Sequence, residues 1–166
     1  MFQFFAAASF QSHWYWVLHA VVWTLACYRT LGVPHDMLVR ARRDPEVAGR
    51  VDQLAHLACE RVGGIFDSFG VPLAALAGFL LAGVFAMGFL SGIETAQAAF
   101  AILLPLAIIV YSKLRLALVV RGNGMAGPQL VLALSRRRVW HQFMAIAGML
   151  GAAELAAVLH PRIPLP

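Results

Sequence analysis

Long apolar blocks alternate along this chain with short basic segments. Four blocks stand out, at about 13–31, 71–91, 95–114 and 142–159. Each comes close to the ~20 apolar residues that an α-helix needs to cross a bilayer. A water-soluble core would scatter its apolar residues around polar ones, whereas here the polar residues gather between the blocks. The pattern predicts an all-α integral membrane four-helix bundle, a single transmembrane domain over 1–166, with cytoplasmic loops at about 34–68 and 115–140.

Local signals refine the outline. Trp14, Tyr15 and Trp16 open the first span as an aromatic belt at headgroup level, and Arg29 closes it within snorkelling reach of the opposite surface. In the first loop, Asp44, Pro45 and Glu46 read as N-cap, first-turn proline and first-turn acid. Val47, Val51, Leu54, Ala58 and Val62 then repeat at helical spacing, with Arg50, Gln53, His56 and Glu60 on the other face. That is an amphipathic cytoplasmic helix, lying on the membrane surface or against a partner, and Gly63 and Gly64 are expected to end it. Asp67, Ser68 and Pro72 are expected to open the second span.

Pro105 stands near the middle of the third span, whose pattern runs past Lys113 and Arg115 as far as Val120. Such a helix is tilted or projects into the cytoplasm. Gly122, Asn123 and Gly124 signal a turn. Residues 128–134 are too few to span and predict a short interfacial or loop helix before Trp140 anchors the fourth block.

Composition supports the class: 61% of 166 residues are hydrophobic and 13% charged, against roughly 25% charged in soluble domains. A net charge of +5 would suggest nucleic acid in a soluble protein. Here the charges sit in loops and set orientation instead. Arg40, Arg42, Arg43, Arg50 and Arg61 fall in the first loop, and Lys113, Arg115, Arg121 and Arg136 to Arg138 around the third. The other side has Glu94 and Arg162. The positive-inside rule then puts both termini outside the cytoplasm of a bacterial-type inner membrane, the first helix serving as its own signal-anchor. The expected partners are membrane lipids, including bound lipid, with other membrane subunits or copies of the chain, and no nucleic acid. Cys27 and Cys59 have no CxxC spacing and imply neither a disulfide framework nor a zinc site.

Two rows of small residues predict close helix packing. Ala74, Gly78, Ala82 and Ala86 recur every four residues in the second span, widened by Ala75 and Gly83. Ala145, Gly148 and Ala152, with Gly151, form a second face on the fourth span. Small residues let helix backbones approach where lipid offers no hydrophobic driving force. The rows can meet each other, a second copy or a different subunit.

Polar residues at membrane depth need a reason. His19 and Glu154 each lie about six residues from the outer end of their span, roughly 9 Å deep at the helical rise. Their matched depth suggests an intramembrane pair. Such a pair either fixes helix register or serves a proton relay, an ion or substrate path, or a quinone headgroup. Tyr15, Trp16 and Trp23 share the His19 face and would wall an aromatic pocket there, or simply form core. His13 and His160, with Glu94, lie near the outer surface as candidate metal or haem ligands. His35, His56 and His141 read as ordinary interface or surface residues.

No hydrolase, zinc-protease, P-loop or dinucleotide fingerprint is present. The segment RVGGIFDSFGVP does not reproduce the arginine–asparagine–glutamate signature of the eicosanoid and glutathione membrane enzymes. Three functions remain open. The chain is a non-catalytic subunit or assembly and stabilising factor of a larger inner-membrane complex, a homo-oligomeric channel or transporter using the Glu154/His19 pathway, or a quinone- or haem-handling redox protein. Small size, the absence of a catalytic fingerprint and the packing rows favour the first.

Overall fold

The computed structural model describes residues 9–159, and helix dominates it. Helix α1 (His13–Tyr28) leads into a hairpin of β1 (Arg29–Thr30) and β2 (Val33–Pro34), then into the short α2 (His35–Arg40). Helix α3 (Pro45–Phe85) winds into a π-helical turn at Ala86–Leu90, and α4 (Glu94–Asn123) and α5 (Gly127–Leu159) follow. Three helices are long and apolar enough to cross a membrane: α3 with its π-helical turn, α4 and α5. Helix α1 has 16 residues, about 24 Å of helix, less than the ~30 Å of a hydrocarbon core.

Contacts fix the relative directions. The Tyr15 hydroxyl donates to the Ala98 carbonyl at 3.4 Å, and the Lys113 ammonium donates to the Ala26 carbonyl at 2.6 Å, so α1 and α4 run parallel. Helix α5 runs against both, bringing Gly148 to Trp23 and Pro105 and the His141 carbonyl to the Cys27 thiol. Helix α3 runs against α4, with Asp67 beside Arg121 and Gly88 beside Gln97.

Within the apolar region α1, α4 and α5 share two buried layers. Phe10, Tyr15, Ala98 and Ile102 form one, and Trp23, Ile109 and Ala145 the next. Beyond them the first half of α3, the end of α4 and the start of α5 continue as a helical head. Val51, Ala55, Cys59, Leu116, Val120, Leu130 and Leu134 meet there with Leu31, Val33 and Leu38 from the hairpin and α2. Burial pushes the Cys59 thiol up from its ordinary pKa, which keeps it protonated and unreactive near neutral pH.

The hairpin turn plants two of those core residues. Its central residues, Leu31 and Gly32, have φ of 48° and 77°, as a two-residue turn between antiparallel strands requires. A non-glycine in this region costs about 1–2 kcal/mol, offset at Leu31 by a side chain buried in the head.

Three breaks expected from sequence are bridged. The amphipathic first-loop helix begins as read, with the Asp44 carboxylate accepting from the Glu46 and Val47 amides. It does not end at Gly63 and Gly64 but continues unbroken through Pro72 to Phe85. Gly63 serves packing instead of ending the helix: the Arg121 side chain lies across the position a Cβ would fill and reaches Asp67 at 2.8 Å. Asp67 is therefore an ion-pair partner inside a helix, not the start of one, and it raises the Arg121 pKa by hydrogen bond and charge.

Residues 128–134 likewise are not a separate interfacial helix. They form the first turns of α5, because α3 and α4 give Leu130, Val131 and Leu134 a core to enter. The first span, expected to reach residue 31, ends at Tyr28, where the hairpin begins. The turn at Gly124 is as read, a left-handed C-cap on α4. Sequence gave no sign that both oxygens of Asp52 would accept from the Gly127 amide, at 3.0 and 2.9 Å. That acid caps α5 from another helix.

Candidate functional site

Three stripes at helical spacing build the polar interior. Tyr15, His19 and Trp23 line α1; Ala98, Ile102, Pro105, Ile109 and Ser112 line α4; Arg137, His141, Ala145, Gly148 and Ala152 line α5. Their polar members fall into two centres, an outer one far from the helical head and an inner one next to it.

The outer centre is His19, which is fully buried and whose two ring nitrogens have no hydrogen-bond partner among the described residues. Three aromatic rings close on it. Trp16 stacks with centroids 5.9 Å apart and planes 5° apart, Tyr15 meets it edge-on at 5.4 Å, and Trp23 tilts over it at 5.7 Å. The expected pocket aromatics thus form the imidazole's packing shell. Glu154 is not part of it. The carboxylate is exposed on the outer face of α5, and no hydrogen bond joins it to His19. Shared depth did not fix rotation: His19 is buried and Glu154 exposed.

At the same end, the Glu94 carboxylate accepts from the Phe10 amide at 3.0 Å, and Ser9 and Thr95 exchange a hydrogen bond. His13 is exposed and His160 lies outside the described residues. No cluster of three metal-ligating side chains occurs among the described residues.

The inner centre was not anticipated. His141, read from sequence as an interface or surface residue, is fully buried. Its Nε2 lies 3.2 Å from the Ser112 hydroxyl, which also accepts from Arg137 at 2.9 Å. A Ser–His contact invites comparison with hydrolytic nucleophiles. The geometry argues otherwise: Nδ1 of His141 has no partner among the described residues, so no acid orients the ring as a triad requires. Arg137 and His141 converge on one hydroxyl, which ties α4 to α5 as interhelical hydrogen bonds do in membranes.

The same level caps α1. A helix C-terminus leaves carbonyls without partners, and α1 has no basic residue in its last turn. Lys113 of α4 supplies a donor to the Ala26 carbonyl, and Arg138 of α5 donates to the Tyr28 carbonyl at 3.3 Å. Both cations also oppose the negative end of the helix dipole. The signal for this centre was present in sequence: Arg137 and His141 extend the Ala145, Gly148, Ala152 row by two turns along the same face.

The two small-residue rows have different fates. Ala145, Gly148 and Ala152 are buried, and a Cβ on Gly148 would meet Trp23 at 2.8 Å and Pro105 at 3.3 Å. Ala74, Gly78 and Ala82 are exposed and Ala86 half-buried. A Cβ on Gly78 or Gly83 would have no neighbour within 4 Å. The rows do not pack on each other. Helix α3 touches α4 near its outer end, where Gln97 donates to the Gly88 carbonyl at 2.8 Å and Phe85 and Phe89 surround Phe100.

No protein-family model matches the chain, and neither comparison with curated proteins nor comparison with solved structures returns a significant match.

Proposed function

We propose that this chain is a non-catalytic subunit, or an assembly and stabilising factor, of a larger inner-membrane complex, docking through the small-residue face of α3. The observation that carries the reading is the contrast between rows. The α5 row is used inside the chain, whereas Ala74, Gly78 and Ala82 remain uncovered on a helix whose apolar half is almost wholly exposed. Lipid needs no such row, since bulky aliphatic residues solvate a lipid-facing helix equally well; close helix approach does need it. Glu154, exposed on the outer face of α5, adds to the case, because a charge at membrane depth favours a protein neighbour.

In this reading α1 is the fourth crossing, its ends drawn inward by Trp14 at one surface and Lys113 at the other. The basic head then lies in the cytoplasm and both termini outside, by the positive-inside rule. A channel or transporter path through His19 and Glu154 is less favoured, since His19 is sealed by rings and Glu154 faces away. Native mass spectrometry of the chain extracted gently from its own membrane tests the proposal. Stoichiometric foreign subunits are expected. A homo-oligomer alone, or a bound haem or quinone without subunits, would favour the channel or redox readings instead.

A further inference from the structure

Between α2 and α5 lies a cavity of about 160 Å³ lined by two matching stripes. His35, Leu38, Val39 and Arg42 come from α2 and the turn after it, and Ser135, Arg138, Val139 and Gln142 from α5. Both stripes follow the i, i+3, i+4, i+7 spacing of one helix face, and each contributes an arginine. No acidic residue lines the cavity. The ion pairs among the described residues, Arg50–Glu46 and Arg121–Asp67, lie elsewhere. Arg138 spends one donor on the Tyr28 carbonyl and keeps the rest of a five-donor fork. Ser135 turns its hydroxyl back to the Val131 carbonyl, so it does not compete for a ligand.

Position supplies the second argument. On α5 the apolar run begins directly after Gln142, and Trp140 stands two residues before it. The cavity therefore sits at headgroup level on the basic side of the bundle. Its rim is apolar where Val39 and Val139 stand about half exposed. A liquid water occupies about 30 Å³, so the volume suits a group several times larger. We propose that this cavity binds the phosphate-bearing headgroup of an anionic glycerophospholipid. Arg42 and Arg138 would clamp the phosphate, as guanidinium forks do, and His35 and Gln142 would meet the glycerol oxygens. Val39 and Val139 would receive the first carbons of the acyl chains. Basic pockets between membrane helices on the cytoplasmic side commonly hold such headgroups. The site does not depend on the subunit reading.

The test is native mass spectrometry of the full chain in detergent, titrated separately with phosphatidylglycerol and phosphatidylcholine. The first phosphatidylglycerol adduct is expected at roughly tenfold lower lipid concentration, consistent with the surface attraction of two arginines. R42Q/R138Q should abolish that preference, and the matched variant R115Q/R136Q, which removes two exposed arginines outside the cavity, should keep it. If R42Q/R138Q does not fold, R42Q alone serves, since Arg42 is exposed at the rim. Equal affinity for the two lipids, or equal loss in R115Q/R136Q, would overturn the site. Displacement of phosphatidylglycerol by millimolar inorganic phosphate would overturn the lipid assignment in favour of free phosphate.

Discussion

Trp23 and Gly148 touch across the α1–α5 interface: a methyl group added to the glycine would stand 2.8 Å from the indole Cζ2. Pro105 lies on another side at 3.3 Å, and the indole is itself buried, which leaves it little room to swing away. Overpacking a tight site costs about 1–3 kcal/mol. Gly148→Ala should therefore lower the midpoint of unfolding in detergent. Gly151→Ala, three residues on with nothing within 4 Å, should leave stability unchanged or raise it by up to about 1 kcal/mol through helix propensity. Equal effects would mean that the α1–α5 contact is looser than described.

The hairpin turn makes a similar contrast. Gly32 has a φ of 77°, which costs a side chain about 1–2 kcal/mol. Gly49 lies inside α3 with open space around it. Gly32→Ala should destabilise the head while Gly49→Ala stabilises it, as read by urea titration of the full chain.

Asp52 holds the start of α5 from α3. Asp52→Ala removes a cap worth about 0.5–2 kcal/mol. Amide exchange in the first turn of α5 should speed up by roughly tenfold, while exchange in α1 stays unchanged. Uniform acceleration would show that the acid acts on global stability instead.

Lys113 caps the α1 C-terminus through the Ala26 carbonyl. In Lys113→Leu that carbonyl loses its partner, at a cost of about 1–3 kcal/mol for a buried group, and the last turn of α1 should fray. Cys27, half-buried there beside the His141 carbonyl, reports it: maleimide labelling should accelerate several-fold, with Cys59 in the head unaffected.

Membrane class and the long helices were legible because apolar block length is set by bilayer thickness, and the Asp44 cap and the Gly124 turn because their chemistry is local. The continuity of α3 was not, since Gly63 and Pro72 both carry breaker signals: the glycine at 63 serves packing, because Arg121 needs its bare backbone, and Pro72 is carried inside the helix. In the head, Leu130 and Leu134 looked like a short loop helix until α3 and α4 supplied a core. His19 and Glu154 were matched by depth, yet depth carries no information on rotation, and one is sealed while the other faces outward. His141 was legible in principle from its register with Gly148 and Ala152.

The exposed row on α3 is the centre of the account, and Gly78→Leu tests it most directly. A Cβ on Gly78 would have no neighbour within 4 Å, and leucine suits both helix and lipid, so the chain itself should fold and unfold as before. Native mass spectrometry of wild type and Gly78→Leu, each extracted from its own membrane, compares what they carry. The account predicts stoichiometric subunits with wild type and their loss from the variant, with the variant's own unfolding midpoint unchanged. Retention of every partner at full stoichiometry by Gly78→Leu would contradict it.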